Sequence, residues 1–201
     1  MKSDMKGVRR DVEHPRRTRL ALRTADPSEA PALHALVADN LEEGHLLPRS
    51  LDELTAHAAL FVVATRGRRI VGCAELATLS PQVAEVRSLA VDRRERGHGV
   101  GTMIVEELRR RARRQGFEKL CAFTHAPAYF IHMGFSIVPH AWLLEKITTD
   151  CLKCPLFRTC GQYAMVVPLD DARTRLLNPT DAERPFKTPA ADQQISVARY
   201  A

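Results

Sequence analysis

The stretch VDRRERGHGVGT, residues 91–102, sets three glycines beside a cluster of charged side chains. It lies between an apolar run, EVRSLAV (85–91), and a long helical pattern, VGTMIVEELRRRARRQG (100–116). Bare backbone at the start of a helix suits an anion. Successive N–H groups form a concave donor set, and the helix dipole adds roughly half a positive charge there. Gly97, Gly99 and Gly101 lack the Cβ atoms that would block close approach. Each charge-assisted contact contributes on the order of 1.5–3 kcal/mol, so three or four would hold a pyrophosphate. A plain tight turn would use the same glycines. Two nucleotide motifs drop out: the glycine spacing does not give G-x-G-x-x-G, and no lysine follows as a P-loop needs.

Working outward, RLALRTA (19–25) predicts a first strand. Asp26 as cap, Pro27 at the first helical position and Glu29 as capping-box partner predict a helix burying Leu33, Leu36 and Val37. Residues 41–50 read as a loop, with Ser50 capping a second helix, LDELTAHAAL. FVVAT (61–65) and RIVGCAELATL (69–79) read as a hairpin through RGRR, followed by a strand at 84–91. The helix at about 100–114 sets Val100, Met103, Ile104 and Leu108 on its apolar side. Then come a strand KLCAFTH (119–125), a short helix APAYFIHM, a strand GFSIVPH and a closing strand QYAMVVPL (162–169). The order β-α-α-β-β-β-α-β-α-β-β predicts a mixed α/β domain with one central sheet. The basic arm 1–17 and the Pro- and Ala-rich tail 170–201 read as loosely ordered flanks of a domain at 18–169.

Composition narrows the class. The chain has 201 residues and is 45% hydrophobic, with no run long and apolar enough to span a bilayer. Its basic start lacks the apolar core of a secretory signal. Five cysteines, an odd number, point to a reducing cytoplasm. A net charge of +6 raises nucleic acid as a partner, but aromatics are only 5% and do not interleave with the basic runs. Solvated basic faces, the RRRARR run (109–114) among them, are the plainer reading. The sequence is silent on oligomeric state, and a homodimer is compatible with it.

The pattern Arg96-x-x-Gly99-x-Gly101 between strand and helix, with EVRSLAV before it and AYFIHMGF after it, resembles the acetyl-CoA signature of the GNAT acetyltransferase superfamily. GHLLPRS (44–50), EVRSLAV and EKITTDCLKCPLFRTCGQYAM (145–165) are further similar to the acetyltransferase domain of bacterial amino-acid N-acetyltransferases, the N-acetylglutamate synthases of arginine biosynthesis, in a short form lacking the amino-acid-kinase domain.

That resemblance implies a mostly antiparallel sheet flanked by helices, acetyl-CoA as co-substrate and an amino-acid acceptor in the cytoplasm. It implies that backbone groups of Leu89, Ala90 and Val91 line the pantetheine arm. Amides of Arg96, Gly97, His98, Gly99, Val100, Gly101 and Thr102 would hold the pyrophosphate. The strand carrying Leu89 would splay from that carrying Phe123, and a backbone N–H near Val91 would serve the oxyanion. The family's usual tyrosine acid, five residues before the Phe of Gly-Phe, is Phe130 here, with Tyr129 one position off.

Acetyl transfer needs a neutral amine. With an amine pKa of roughly 8–10, deprotonation costs about 1.4–4 kcal/mol at pH 7, within reach of a positioned base or water. Glu85, the acid on the cleft strand, is either that base, acting through a water, or a solvated or ion-paired carboxylate. A dicarboxylate acceptor needs cationic anchors, for which Arg87 with Ser88, Arg49 and Lys146 are the candidates. An arginine amid apolar strand residues must have a partner.

Cys151, Cys154 and Cys160 form C-x2-C-x5-C, which admits zinc with His140 as fourth ligand, an iron–sulfur cluster, packed reduced thiols or a redox switch. Cys73 and Cys121 read as core. His98, His125 and His132 read as structural or surface groups near the cleft. Two other readings stay open: a different amine acceptor (another amino acid, a polyamine or a protein amine), and a non-catalytic acetyl-CoA-responsive or nucleic-acid-binding protein.

Overall fold

The computed structural model describes residues 19–41 and 46–169. The arm 1–17, residues 42–45 of the loop at 41–50 and the tail 170–201 lie outside the described residues, together with the readings placed on them. Seven strands form one sheet in the order β1-β2-β3-β4-β5-β7-β6. They are β1 (Leu20–Thr24), β2 (Phe61–Arg66), β3 (Arg69–Thr78), β4 (Val83–Val91), β5 (Lys119–Thr124), β6 (Ser136–Val138) and β7 (Tyr163–Pro168). Every neighbouring pair is antiparallel except β4 and β5, which run parallel.

Local chemistry sets the helix starts. Asp26 Oδ1 accepts from Ser28 N–H at 2.9 Å, and Glu29 Oε2 accepts from Asp26 N–H at 2.9 Å, the expected capping box. A 3₁₀ turn, Pro27–Glu29, leads into α1 (Ala30–Leu41), which buries Leu33, Leu36 and Val37. Ser50 caps α2 (Leu51–His57) through Glu53 N–H at 3.2 Å, and the last residues of the expected helix tighten to 3₁₀ at Ala58–Leu60. The third helix, α3 (Val100–Arg114), buries Val100, Ile104, Val105, Leu108 and Ala112. Met103 departs from expectation and is exposed. The stripe continues through Val105 and Ala112, which turns position 103 beyond its edge.

The RRRARR run makes extensive intramolecular contacts. Arg110, Arg111 and Arg114 reach Glu107 at 3.0, 3.1 and 3.3 Å, and Arg113 Nε donates to the Leu169 carbonyl at 2.9 Å. After α4 (Pro127–His132) comes a helix that the sequence does not announce. Residues 144–149 form α5 (Leu144–Thr149), placed between β6 and β7. It buries none of its own residues, so no apolar stripe announced it.

The sheet is covered on both faces. Val62, Ala64, Leu76, Ala84 and Val86 pack with α3, whereas Phe61, Val63, Cys73 and Ala90 pack with Leu33, Leu36, Val37 and Leu54 of α1 and α2. Strand alternation explains the split along β2, where successive side chains take opposite faces. In β4 the alternation breaks. Glu75 pairs with Arg87 and Cys73 with Ala90, so Ser88 and Leu89 oppose Ala74 alone. Ser88 carries φ of 53°, in the left-handed region. This bulge inverts the faces beyond it: Ala84 and Val86 lie on the α3 side before it, and Leu89 and Val91 after it.

Candidate active site

Beyond the bulge, β4 and β5 part. Their parallel pairing runs from Val83–Lys119 to Val86–Ala122 and stops there, so Leu89, Ala90 and Val91 keep β3 on one edge and have no strand on the other. The splay expected between Leu89 and Phe123 is present.

At the far end of that open edge lies the glycine turn. Gly97 and Gly99 have φ of 74° and 77°, and a Cβ on either would meet nothing within 4 Å, so both border open space. Helix α3 begins with Met103 N–H on the Gly99 carbonyl at 3.0 Å, and its cap has no side-chain hydrogen bond. Among the described residues no backbone N–H from Gly97 to Thr102 reaches an acceptor in its own chain. These unpaired amides, at the N-terminus of a 15-residue helix, are a donor set fit for a diphosphate. Arg96, itself exposed, places Nε on the Val91 carbonyl at 3.2 Å and Nη2 on Asn40 Oδ1 at 2.6 Å, tying the turn to β4 and α1.

Tyr129, off the expected position, faces the same place. A Cβ at Gly101 would lie 2.9 Å from its hydroxyl. Phe130 is instead in the core, edge-on to Phe135 at 5.1 Å. The Tyr129 hydroxyl is buried without a well-formed hydrogen bond. Burial pushes the phenol above its ordinary value, opposed by nearby Thr102.

The second half of the site is a cleft of about 600 Å³. It brings together all four expected anchors, Arg49, Arg87, Ser88 and Lys146, with Glu85 and the three cysteines of the C-x2-C-x5-C run. The cations are already engaged. Arg49 is buried, and its Nη1 donates to Glu75 Oε2 at 2.8 Å and to Ser88 Oγ at 2.9 Å. Glu75 in turn meets His57 Nδ1 at 2.7 Å, and Glu53 lies 2.7 Å from Arg49 Nε. Arg49 is therefore neither a surface charge nor a free anchor.

Glu85 is an ion-paired carboxylate: its Oε2 accepts from Arg87 Nη2 at 2.6 Å and its Oε1 lies 2.8 Å from Lys146 Nζ. Asp150 Oδ2 closes the group, at 2.5 Å from Arg87 Nη2 and 2.8 Å from Lys146 Nζ. Burial pushes the Asp150 carboxyl up, but Lys146 and Arg87 outweigh it and hold it below its ordinary value.

The cysteines do not form the metal site that their spacing admitted. Among the described residues no group of three or more His, Cys, Asp or Glu side chains comes together to hold a metal ion. Cys151 and Cys154 share a 3₁₀ turn, with Cys154 N–H on the Cys151 carbonyl at 3.0 Å, and Cys160 is exposed. His140, the fourth ligand of the zinc reading, lies 5.5 Å from the Phe123 ring, centroid to centroid. Cys73 and Cys121 are buried as expected, the Cys73 thiol pushed up to about 12 by burial. His98 and His132 bond backbone carbonyls, Arg96 at 2.9 Å and Ala128 at 2.6 Å.

Glu75, His57 and Asp150 are the residues that the sequence reading passed over. Glu75 had a signal, since a carboxylate within RIVGCAELAT must find a partner, the argument already applied to Arg87. Asp150 had a weaker one, four residues after Lys146. His57 had none.

A sheet split beside a helix N-terminus rich in free amides, with an adjoining polar cleft, defines an acyl-coenzyme A acyltransferase fold. Residues 26–135, more than half of the chain, match the Acetyltransferase (GNAT) family, and the chain belongs to that family. An uncharacterized N-acetyltransferase of Chlorobaculum tepidum is 30% identical over 148 residues, 74% of this chain and 96% of that one. The amino-acid acetyltransferase of Mycobacterium tuberculosis is 33% identical over 128 residues, 62% and 73% of the two chains. In structure, N-acetylglutamate synthase from Neisseria gonorrhoeae, complexed with coenzyme A and N-acetyl-glutamate, superimposes with a TM-score of 0.69. At 24% identity over 76% of this chain and 36% of that one, this likeness speaks for the fold alone. The chain likewise spans 31% of the amino-acid acetyltransferase of Pasteurella multocida. Among the described residues no helix is long and apolar enough to cross a membrane.

Proposed function

We propose that the protein transfers acetyl from acetyl-CoA to the α-amine of L-glutamate, the first step of arginine biosynthesis, in the cytoplasm. One observation carries this reading: Arg87, Ser88 and Lys146 gather in a cleft at the point where β4 loses its β5 partner, on the strand that leads to the unpaired amides. Leu89, Ala90 and Val91 would line the pantetheine, and Arg96 to Thr102 the diphosphate. The acetyl thioester supplies an activated carbonyl.

The amine lone pair attacks that carbonyl carbon, the C–S bond breaks, and the electron pair leaves with the thiolate. The backbone near Val91 would receive the developing oxyanion. Both Glu85 oxygens are held by Arg87 and Lys146, so in this reading Glu85 orients the cations and the amine proton leaves through water. Arg87 Nη1 has no acceptor among the described residues and is the first anchor for an acceptor carboxylate.

A thiol-release assay with glutamate, glutamine, aspartate and spermidine tests the reading. Glutamate is expected to give the highest kcat/KM. Turnover with glutamine above glutamate would move the acceptor to another amino acid, a second reading favoured by the carboxylates that already neutralise Arg87 and Lys146. Release with spermidine alone would overturn both.

A further inference from the structure

The acceptor cleft carries its own carboxylate where a substrate carboxylate is expected. Lys146 Nζ has Glu85 Oε1 and Oε2 at 2.8 and 2.9 Å and Asp150 Oδ2 at 2.8 Å, which matches its three N–H donors. Arg87 gives Nε and Nη2 to Glu85 and Nη2 also to Asp150. The two carboxylates are not equivalent. Glu85 is 4% exposed in its side chain and forms the floor, whereas Asp150 is 34% exposed and lies on the solvent side of the same cations. Asp150 also sits just beyond the last turn of α5, with Cys151 and the short 3₁₀ turns after it rather than sheet. The outer carboxylate thus rides on the least regular wall of the cleft, and the inner one on β4.

We propose that Asp150 is a displaceable internal carboxylate that occupies the acceptor's anion position on Arg87 and Lys146 and sets the specificity of the cleft. This rests on the reading of an amino-acid acceptor given above. An entering carboxylate takes the Arg87 Nη1 and Nη2 and Lys146 donors as Asp150 swings out, and the net charge at the pair stays the same. No proton or bond is exchanged in that step. An acceptor without a carboxylate cannot displace Asp150 and meets a closed, neutralised cleft. The cations remain paired while the cleft is empty, which avoids leaving half-buried charges without partners.

The test is calorimetric titration of the full chain, saturated with CoA, by glutarate, a non-reacting dicarboxylate. Asp150→Asn keeps the shape and removes the competing charge, and should bind glutarate about tenfold more tightly than wild type. Asp150→Glu, which restores a charged occupant, should bind no more tightly than wild type. Unchanged or weaker binding by Asp150→Asn overturns the proposal and makes Asp150 a structural stay. Asp150→Ser serves as a second charge-free variant, and if neither variant melts cooperatively the proposal is overturned in the same way. If wild type and variants bind CoA but no glutarate or glutamate, the amino-acid reading fails and takes this proposal with it.

Discussion

The two halves of the site are built on opposite plans. The glycine turn is open: bare amides at the head of α3, positive φ at Gly97 and Gly99, and free space beside both. The cleft on the far side of the bulge is closed, with Arg49, Arg87 and Lys146 each facing a carboxylate of the same chain. Backbone donors can wait unpaired because water satisfies them at a surface. Guanidinium and ammonium groups in a part-buried cleft cannot, since an isolated buried charge costs several kcal/mol. Amides at a helix start therefore need no internal counterpart, whereas part-buried cations must be held in compensated form.

Breaking the closed half at its deepest point should have the largest effect. Glu75→Ala strips Arg49 of its buried carboxylate, leaving Ser88 and the more exposed Glu53, and should cost about 3 kcal/mol, read as a fall in Tm of roughly 10 °C. Arg87→Ala removes the half-buried anchor and should raise the glutamate KM about 10–100-fold, from charge-assisted bonds of roughly 1.5–3 kcal/mol. The acetyl-CoA KM should stay within about twofold, and an unchanged glutamate KM would remove Arg87 from the acceptor site. In the open half, Gly99→Val forces a β-branched residue to positive φ at a cost of about 1–3 kcal/mol. It should weaken acetyl-CoA binding about tenfold while leaving the glutamate KM nearly unmoved; coupled losses in both would blur the division.

The smallest effect is set by pH. The ordinary Asp150 value is 3.8, and its folded value lies lower. A depressed carboxyl stabilises the fold fully above the unfolded value and loses that contribution as pH falls through its own lower value. The stability gap between wild type and Asp150→Asn, measured by urea midpoint, should hold from pH 7 to about 5 and shrink below about 4.

How much of this was legible depended on the kind of residue involved. The turn at Gly97 and Gly99 was legible, because positive φ calls for a missing Cβ, whereas the close approach of Tyr129 to Gly101 left no local trace. The strands and α3 read well, because their apolar residues recur with the period of the element. Asp26 and Glu29 announced α1 by side-chain chemistry alone. The polar cleft gave up its cations but not their partners. Pairs such as Arg49 with Glu75 and Arg87 with Asp150 join residues 26 and 63 positions apart, and no local pattern records them. Lys146 was placed by likeness to a family, while the helix that carries it went unseen for want of a buried stripe. The bulge was also silent, since serine has no special claim to the left-handed region, and Arg49 holds its hydroxyl from the segment before α2.

The early end of the β4–β5 ladder has one more consequence. Only the stretch from Val83 to Val86 stitches the two halves of the sheet directly, and further along the seam lies unzipped. A guest bearing amides at peptide-like intervals would act there as an extra strand, adding rungs that the polypeptide omits. The enzyme would then be stiffest when loaded, and amide exchange along Leu89, Ala90 and Val91 would report how much of it carries coenzyme.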